Sequence, residues 1–272
     1  MAGRKLRMAW VIGLAAAIAL ATLPSSMAAE PNDPWPDLAR DAFKGRPLVD
    51  GDDLIAVEMP ARAEDAAIVP VTLRATLPAG DPRIVKAFTL VIDENPAPVA
   101  ATFKVAPGVT MISTRVRVNS YTNVHAVAEL SDGKLYVVKT YVRASGGCSA
   151  PMAKNAEEAT ASMGQMRFRQ FARSVGSADG PQEAQIMIRH PNNSGLQRDQ
   201  LSQLYIPLLI VRDLRVFQDN ELVLEMEGGI SISEDPNIRF SYRPNGATTF
   251  RAEAVDTDGH VFKGEWPVEQ AM

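Results

Sequence analysis

In this 272-residue chain the side chain best suited to covalent chemistry is that of the single cysteine, Cys148. It lies near the middle of the sequence in the stretch SGGCSAP, residues 145–151. Its neighbours are small, and paired glycines lose much conformational entropy when they become ordered. The sequence therefore predicts a mobile segment with an unhindered thiol, which is an attachment point once it loses its proton. The residues predicted to form this flexible arm around Cys148 are Gly146, Gly147, Ser149 and Ala150.

Two other roles for Cys148 are open from the sequence. Free cysteines are often inert and buried in a core, but a core strand would place large apolar residues beside the thiol, and this stretch has none. The second role is a redox protein or an intermolecular disulfide, since one cysteine cannot form an internal disulfide. Thiol exchange normally uses a resolving cysteine, which the chain lacks. Arg143 and Lys154 are the nearest basic residues in sequence that would favour the thiolate.

Other catalytic or metal-binding patterns are missing from the sequence. His125, His190 and His260 are the only histidines, and they lie far apart without a second cysteine. Zinc sites need several ligands at recognisable spacing, so each histidine is predicted to be structural or on the surface. A cysteine protease would need a histidine held beside Cys148. No P-loop, GxSxG or HExxH motif occurs. We therefore predict no metal, no cofactor and no enzymatic activity.

The N-terminus has the pattern of a secretory signal peptide over residues 1–29. Three basic residues precede an apolar run from Met8 to Leu23, and small residues lead to a cleavage point after Ala28 or Ala29. An uncleaved anchor is the alternative, although the run is short for a span of roughly 20 residues. Without this segment the chain has 25 basic and 32 acidic residues, a net charge of −7. We predict an exported protein that binds neither nucleic acid nor, after cleavage, the membrane.

Alternating apolar and polar residues predict short β-strands on both sides of the cysteine. The stretches IVPVTLRATL, VKAFTLVID and MISTRVRVNS alternate with a period of two, and the last places Ile112, Val116 and Val118 on one face and Arg115 and Arg117 on the other. Asp132-Gly133 between two such runs is a hairpin signal. Asn245-Gly246 and Asp258-Gly259 mark turns among the later strands. Short strands at this spacing favour an antiparallel sandwich, and the fold class is predicted to be all-β.

The segment after Cys148 contains helix formers. Asn155 is a candidate N-cap, and the apolar residues of NAEEATASMGQMRFRQFARS, among them Met163, Met166 and Phe171, fall on one side of a helix. A second short helix is predicted over residues 38–43, before the strands begin. The predicted organisation is a signal peptide over 1–29, a β-sandwich over 38–145, the cysteine arm with a helical linker over 146–181, and a second β-sandwich over 182–270.

Stretches in both halves are similar to the sulfur-oxidation carrier proteins SoxY and SoxZ. SGGCSAP after the strand LYVVKTYVR resembles the Gly-Gly-Cys arm of SoxY, and IVPVTL, DENPAPVAATF, STRVRV and AVAELSDGK resemble the domain that precedes that arm. Downstream, IRHPNNSGLQRDQ, GGISISEDPNIRFSY and AEAVDTDGHVF resemble SoxZ. The whole mature chain, without the predicted signal peptide, is therefore similar to a fused SoxYZ, close to the group described as quinoprotein dehydrogenase-associated SoxYZ-like proteins.

The resemblance implies two immunoglobulin-like antiparallel β-sandwiches joined by the Gly-Cys arm and a helical linker. It further implies a periplasmic, non-catalytic carrier on which Cys148 covalently holds sulfur intermediates derived from thiosulfate. Partner enzymes would oxidise thiosulfate onto the thiol and then hydrolyse off sulfate. The partners implied are periplasmic sulfur-oxidising enzymes or a quinoprotein dehydrogenase system, and a homodimer is one expected assembly. The alternative is an accessory binding module of a quinoprotein alcohol dehydrogenase system in which Cys148 is not essential.

Overall fold

Strands are the main secondary structure of the computed structural model, which describes residues 33–151, 156–171 and 181–269. The predicted signal peptide, residues 1–29, and the predicted N-cap Asn155 lie outside the described residues. The elements of the first half are α1 (Trp35–Ala42), β1 (Leu48–Asp50), β2 (Ile55–Glu58), β3 (Val69–Ala75), β4 (Val85–Ile92), β5 (Val99–Val105), β6 (Met111–Val116), β7 (Thr122–Leu130) and β8 (Leu135–Val142). After a short 3-10 turn (Gly147–Ser149), the second half contains α2 (Ala156–Ser162), β9 (Met166–Phe171), β10 (Gln182–Ile188), β11 (Val211–Gln218), β12 (Glu221–Gly228), β13 (Asn237–Tyr242), β14 (Thr249–Asp256) and β15 (Val261–Pro267).

The strands form two sheets, and each sheet contains strands from both halves of the chain. The nine-stranded sheet has the order β1-β8-β7-β4-β5-β12-β11-β14-β15, and the six-stranded sheet has the order β2-β3-β6-β13-β10-β9. All pairings of these strands are antiparallel except that of β1 with β8. The predicted all-β class with immunoglobulin-like sandwiches is confirmed, with the addition that the two halves share both sheets.

Two strand pairs join the halves. In the nine-stranded sheet β5 pairs with β12 over five registered positions, from Leu224 opposite Val105 to Gly228 opposite Ala101. In the six-stranded sheet β6 pairs with β13 over two positions, one of which sets Phe240 opposite Ile112. Since main-chain hydrogen bonds run across both pairs, the halves are continuous in each sheet. The boundaries 38–145 and 182–270 stay predictions.

The main apolar cluster lies between the two sheets and extends through both halves. A smaller second cluster joins Phe43, which follows α1, to Val91, Val127 and Leu135. In β3 the alternation predicted from sequence is observed, with Val69, Val71 and Leu73 on the buried face. In the second half the aromatic ring of Tyr242 contacts the rings of Phe240 and Phe250 in the core. Packing of two inner faces in this way is the usual arrangement of a sandwich. No helix of the described part of the chain is both long and apolar enough to span a membrane.

The predicted turns are largely confirmed. Asp132-Gly133 joins β7 to β8, and Asp258-Gly259 joins β14 to β15, with each glycine in the left-handed region. Asn245-Gly246 also forms a turn, but it connects β13 and β14, which belong to different sheets. Helix α1 confirms the predicted short helix and begins three residues earlier, at Trp35.

The helix predicted after Cys148 is wrong beyond Ser162. Helix α2 ends there, Gly164 follows with a φ of 82°, and Met166–Phe171 is a strand that pairs with β10. In this strand Arg167 and Arg169 are exposed, whereas Phe168 packs against the rings of Phe250 and Trp266. Tertiary packing of the aromatic side chain therefore outweighs the local helix propensity of the segment.

Candidate functional site

The cysteine segment folds back onto the first half immediately after β8. Gly146 adopts the left-handed conformation, with φ 80° and ψ 8°, and the 3-10 turn of Gly147–Ser149 follows. The amide of Gly146 donates to the carbonyl of Asn119 at 2.8 Å, and that of Gly147 donates to Val118 at 3.0 Å. The segment therefore lies along the chain that leaves β6.

Cys148 is buried, with 0% of its surface exposed. The prediction of an unhindered, exposed thiol is thus wrong for this conformation, and Gly147 is buried as well. Gly146 and Ser149 are exposed, and Ala150 is half-buried. The small residues around the thiol allow close approach to the rest of the protein, rather than keeping the segment away from it.

Gly147 has a specific steric role in this close approach. A β-carbon at this position would lie 2.0 Å from the carbonyl oxygen of Ala66 and 2.7 Å from that of Val118. Both distances are far shorter than any non-bonded contact allows, and both neighbours are main-chain atoms. The buried position of Cys148 therefore requires glycine at 147.

The second half contributes two side chains that hold the segment from the other side. Ser194 Oγ donates to the carbonyl of Cys148 at 2.5 Å, and Gln197 Nε2 donates to the carbonyl of Ala150 at 3.1 Å. Both side chains come from the β10–β11 loop, residues 189–210, and both are buried. The amide of Ser194 also donates to Gln197 Oε1 at 2.9 Å, which fixes the two side chains relative to each other. Cys148 thus lies where the two halves meet.

Arg117 supplies the positive charge near the thiol. Its side chain is 2% exposed, its Nη1 donates to the carbonyl of Ile232 at 2.6 Å, and its Nε has no hydrogen-bond partner. Burial lowers the pKa of Arg117, and the negative charges of Glu234 and of ionised Cys148 oppose that effect. The alternating pattern predicts that Arg117 lies on the other face of the strand from Val116 and Val118. In the structure β6 ends at Val116, and Arg117 is buried by contacts with Ser231 and Ile232 of the second half.

Burial raises the pKa of the Cys148 thiol from its ordinary value of 9.0 to about 11, because a thiolate in this position loses its hydration. The charge of Arg117 acts in the opposite direction and is the smaller influence. The thiol is therefore neutral at physiological pH in this conformation. The thiolate is the nucleophile. A buried and neutral Cys148 is therefore protected from reaction in two ways, because reagents cannot reach it and because it keeps its proton.

Asn95 connects the surroundings of the site across both halves. Its Nδ2 donates to the carbonyl of Arg117 and to Ser231 Oγ, each at 2.8 Å, and its Oδ1 accepts from the amide of Asn119 at 2.8 Å. Sequence analysis did not identify Asn95, Arg117, Ser194 or Gln197 as parts of a site. No spacing pattern distinguishes them, because they come from loops and strand ends that meet only after folding.

An exposed apolar surface lies next to the cysteine segment. An open groove there is lined by Ser149 and Pro151 of the segment and by residues of the β10–β11 loop, among them Leu196, Arg198 and Tyr205. The same loop exposes 96% of Leu201, 70% of Leu204 and 61% of Tyr205. Exposed apolar groups concentrated in one loop are typical of surfaces that contact other proteins.

Each of the three histidines lies beside an aspartate, and the contacts of His125 and His260 with their aspartates are hydrogen bonds. His125 Nδ1 is 2.9 Å from Asp93 Oδ1, and the ring of Trp35 is stacked on His125 at 3.6 Å. His190 is buried, and its Nε2 lies 3.5 Å from Asp256 Oδ2, which also contacts His260. These pairs fit the predicted structural role. Across residues 33–151, 156–171 and 181–269, no group of three or more His, Cys, Asp and Glu residues is placed to hold a metal ion.

Two protein-family models match the chain, one in each half. The model described as sulfur oxidation protein SoxY matches residues 39–148, so that its match ends at Cys148. The model described as sulphur oxidation protein SoxZ matches residues 172–267. No curated protein matches the chain.

Solved structures give weaker similarities. The sulfur carrier protein SoxY from Chlorobium limicola f thiosulfatophilum is 26% identical, with 40% of this chain and 94% of that chain covered and a TM-score of 0.34. A superoxide reductase (neelaredoxin) from Ignicoccus hospitalis is 10% identical, with 33% of this chain and 79% of that chain covered and a TM-score of 0.29. TM-scores of this size carry no argument about function, which here depends on the family models and the geometry of the site.

Proposed function

We propose that this chain, which joins a SoxY domain to a SoxZ domain, is a non-catalytic carrier that holds sulfur intermediates covalently on Cys148 and presents them to partner enzymes. A role in sulfur oxidation follows from the two domains. The identity of the carried group, the site of attachment and the partners are part of the proposal.

The observation that carries the proposal is the position of Cys148. It is the only cysteine of the chain, it is the last residue matched by the SoxY model, and it follows Gly146 and Gly147 at the contact with the SoxZ domain. Within the part of the chain that the structure describes, two main-chain and two side-chain hydrogen bonds from other segments hold the segment around Cys148. Such a contact is weak enough to open, because each hydrogen bond contributes about 0.5–1.5 kcal/mol net.

The loading reaction requires the open segment and an electron acceptor. The thiol of Cys148 and thiosulfate would form a sulfur–sulfur bond, release one proton and pass two electrons to an oxidising partner enzyme. Water would then cleave the terminal sulfonate as hydrogen sulfate and leave a persulfide on Cys148. The carrier itself supplies only the sulfur atom of attachment and the means to expose it.

The proposed setting is the periplasm, to which the predicted signal peptide over residues 1–29 would direct the chain. The proposed partners are sulfur-oxidising enzymes or a quinoprotein dehydrogenase system, and a homodimer is a further proposed assembly. The β10–β11 loop exposes Leu201, Leu204 and Tyr205. Since Tyr205 also lines the groove beside the cysteine segment, these residues support contact with another protein.

Intact mass spectrometry tests the carrier role. Protein isolated from its native host during growth on thiosulfate should carry a fraction with added sulfur or thiosulfonate mass, and reduction should remove this mass. Cys148→Ser should remove the adduct entirely while leaving the folded protein unchanged. A wild-type protein that never acquires such mass, with active partner enzymes present, would contradict the proposal.

An accessory module of a periplasmic quinoprotein alcohol dehydrogenase system is the second candidate. The buried, neutral state of Cys148 favours it, because a docking module has no need of an accessible thiol. In that case Cys148→Ala would preserve the dehydrogenase-dependent growth of the host. Substitution of Leu201 and Leu204 by serine would abolish that growth. The carrier proposal expects the opposite result for Cys148→Ala.

A further inference from the structure

The two sides of the cysteine segment are held in different ways. On the SoxY side its amides donate to main-chain carbonyls of Val118 and Asn119. On the SoxZ side its carbonyls accept from the side chains of Ser194 and Gln197. We call these two side-chain contacts the latch. Because the latch uses side chains of another domain, it can open without any change in the strand pairing of either sheet.

The closed position has no room for a group attached to the thiol. Since Cys148 is 0% exposed, no water-sized space adjoins its side chain. An added sulfur atom would lie about 2.05 Å from Sγ and is at least as large as a water molecule. Protein interiors are close-packed and yield little to such insertions. The bulkier thiosulfonate group would meet the same neighbours with three further oxygen atoms.

We infer that the latch senses whether the carrier is loaded: Ser194 and Gln197 close over the unmodified thiol of Cys148 and cannot close over a thiol that bears a sulfur group. The inference deepens the proposed function and depends on it for the identity of the natural cargo. Its physical basis, a fit between the latch and an unmodified thiol, is independent of any partner enzyme.

The latch would give the two states of the carrier different surfaces. The empty carrier keeps its thiol neutral and shielded from adventitious oxidants and alkylating agents. The loaded carrier releases the segment, exposes the polar groups of Ser194 and Gln197 to water, and alters the groove lined by Leu196 and Tyr205. An enzyme that removes the cargo would therefore meet an open arm on loaded carriers and a closed arm on empty ones.

Alkylation kinetics on the purified full chain test whether the latch controls access. We expect iodoacetamide to modify wild-type Cys148 slowly at pH 8, at a rate set by how often the segment opens. In Ser194→Ala/Gln197→Ala the rate should rise about tenfold or more, because each lost hydrogen bond is equivalent to roughly twofold to twelvefold in the opening equilibrium. An unchanged rate in a folded double variant would overturn the latch.

The chain offers a matched control in the same loop. Ser202 and Gln203 repeat the two residue types, but their side chains bond to Asp199 and to the carbonyl of Gln200 within the loop. Ser202→Ala/Gln203→Ala should leave the alkylation rate within about twofold of the wild type. An equal acceleration in both double variants would show that general loosening of the loop, and not the latch, controls access.

Hydrogen exchange tests the response to a loaded thiol. Methyl methanethiosulfonate converts the Cys148 thiol to a methyl disulfide and releases methanesulfinate and a proton, so it adds a thiomethyl group, one sulfur atom with its methyl, without a partner enzyme. The amides of Gly146 and Gly147, which donate to Asn119 and Val118, should lose their protection in the modified protein, whereas β5 and β12 stay protected. Cys148→Ser treated in the same way should show no change.

Protection retained at Gly146 and Gly147 in fully modified protein would overturn the inference, because the closed position would then accommodate cargo. This result is distinguishable from failure of the proposed function. Both experiments use thiol reagents alone, so a chain that never receives thiosulfate in its host can still possess the latch. Conversely, a carrier that accumulates sulfur mass in its host can lack the latch.

Discussion

The two domains are joined in two contrasting ways. Between β5 and β12 five registered positions carry main-chain pairing, and Phe103 and Met226, which lie opposite each other there, are both fully buried. Around Cys148 the domains meet through side chains: the latch of Ser194 and Gln197. The β5–β12 joint therefore combines a run of main-chain pairs with packing of buried apolar side chains. The joint at Cys148 consists of the two side-chain hydrogen bonds of the latch.

The difference indicates which joint can open. Breaking the β5–β12 joint exposes buried aromatic and aliphatic surface together with unpaired main-chain groups, which costs several kcal/mol. Opening the latch exposes one cysteine, a few small residues and polar groups that water can solvate. The body of the protein should therefore unfold as one unit, whereas the cysteine segment should open many times before the body unfolds.

The largest expected effect comes from a substitution at the β5–β12 joint. Phe103→Ala removes a fully buried ring and should lower the free energy of unfolding by about 3–5 kcal/mol. The midpoint of thermal unfolding should fall by about 10 °C, at roughly 2–4 °C per kcal/mol for a chain of this size. The measurement is differential scanning calorimetry, with Val99→Ala, an exposed position on the same strand, as the control.

The same variant sharpens the comparison between the joints. At 25 °C the alkylation rate of Cys148 in folded Phe103→Ala should stay close to that of the wild type. A rate that rises in parallel with the loss of stability would mean that the two joints open together and form a single cooperative unit.

The next largest effect is expected from the steric requirement at Gly147. Gly147→Ala places a β-carbon against the main chain of Ala66 and should exclude the closed position, so alkylation should accelerate about a hundredfold or more. Gly146→Ala adds a β-carbon in open space and only strains a left-handed φ of 80°, which favours opening by about 1–2 kcal/mol and roughly tenfold. If both variants accelerate alkylation equally, the close approach at Gly147 does not hold the segment.

The smallest expected effect is a change in the shape of a pH profile. Burial raises the pKa of Cys148 from 9.0 to about 11, so the closed position favours the neutral thiol. The stability that the closed position gains by keeping the thiol neutral is fully present below about pH 9. This contribution is lost as the pH rises from about 9 to about 11. Arg117 is the charged group whose field reaches the thiol, and it limits the size of the shift.

The alkylation rate of the wild type should therefore rise about tenfold per pH unit through pH 10. This slope is expected when the segment must open and the Cys148 thiol must lose its proton before it reacts. In Gly147→Ala the rise should level off above about pH 9, as for an exposed thiol such as N-acetylcysteine measured in the same buffers. A wild-type profile that levels off at pH 9 would mean that the thiol is solvated in the resting protein.

The strands and tight turns could be predicted from sequence, because both depend on local chemistry. Apolar residues of β3 alternate as a half-buried strand requires, and Gly133 and Gly259 occupy left-handed turn positions. At Met166–Phe171 the predicted helix is wrong, since the apolar residues of this strand also match a helical spacing. The exposed Arg167 and Arg169 between them are the period-two signal that identifies the strand.

The environment of the thiol could not be predicted in the same way. Small residues around Cys148 are compatible with a mobile arm and with close packing, and the carbonyl of Ala66 that decides between them is far away in sequence. Ser194 and Gln197 resemble ordinary polar loop residues until the loop meets the cysteine segment. The sharing of both sheets by the two domains likewise depends on long-range pairing that strand patterns do not encode.

The chain continues beyond Cys148, and this sets how far the sulfur atom can travel. Strand β8 ends at Val142 and helix α2 begins at Ala156. A tether fixed at both ends extends by at most half its contour length, which at about 3.3–3.6 Å per residue is roughly 20 Å here. Cys148 lies close to the midpoint of that tether, where the reach is greatest. A partner's active site must therefore be shallow enough for this distance and wide enough to admit two chain segments side by side.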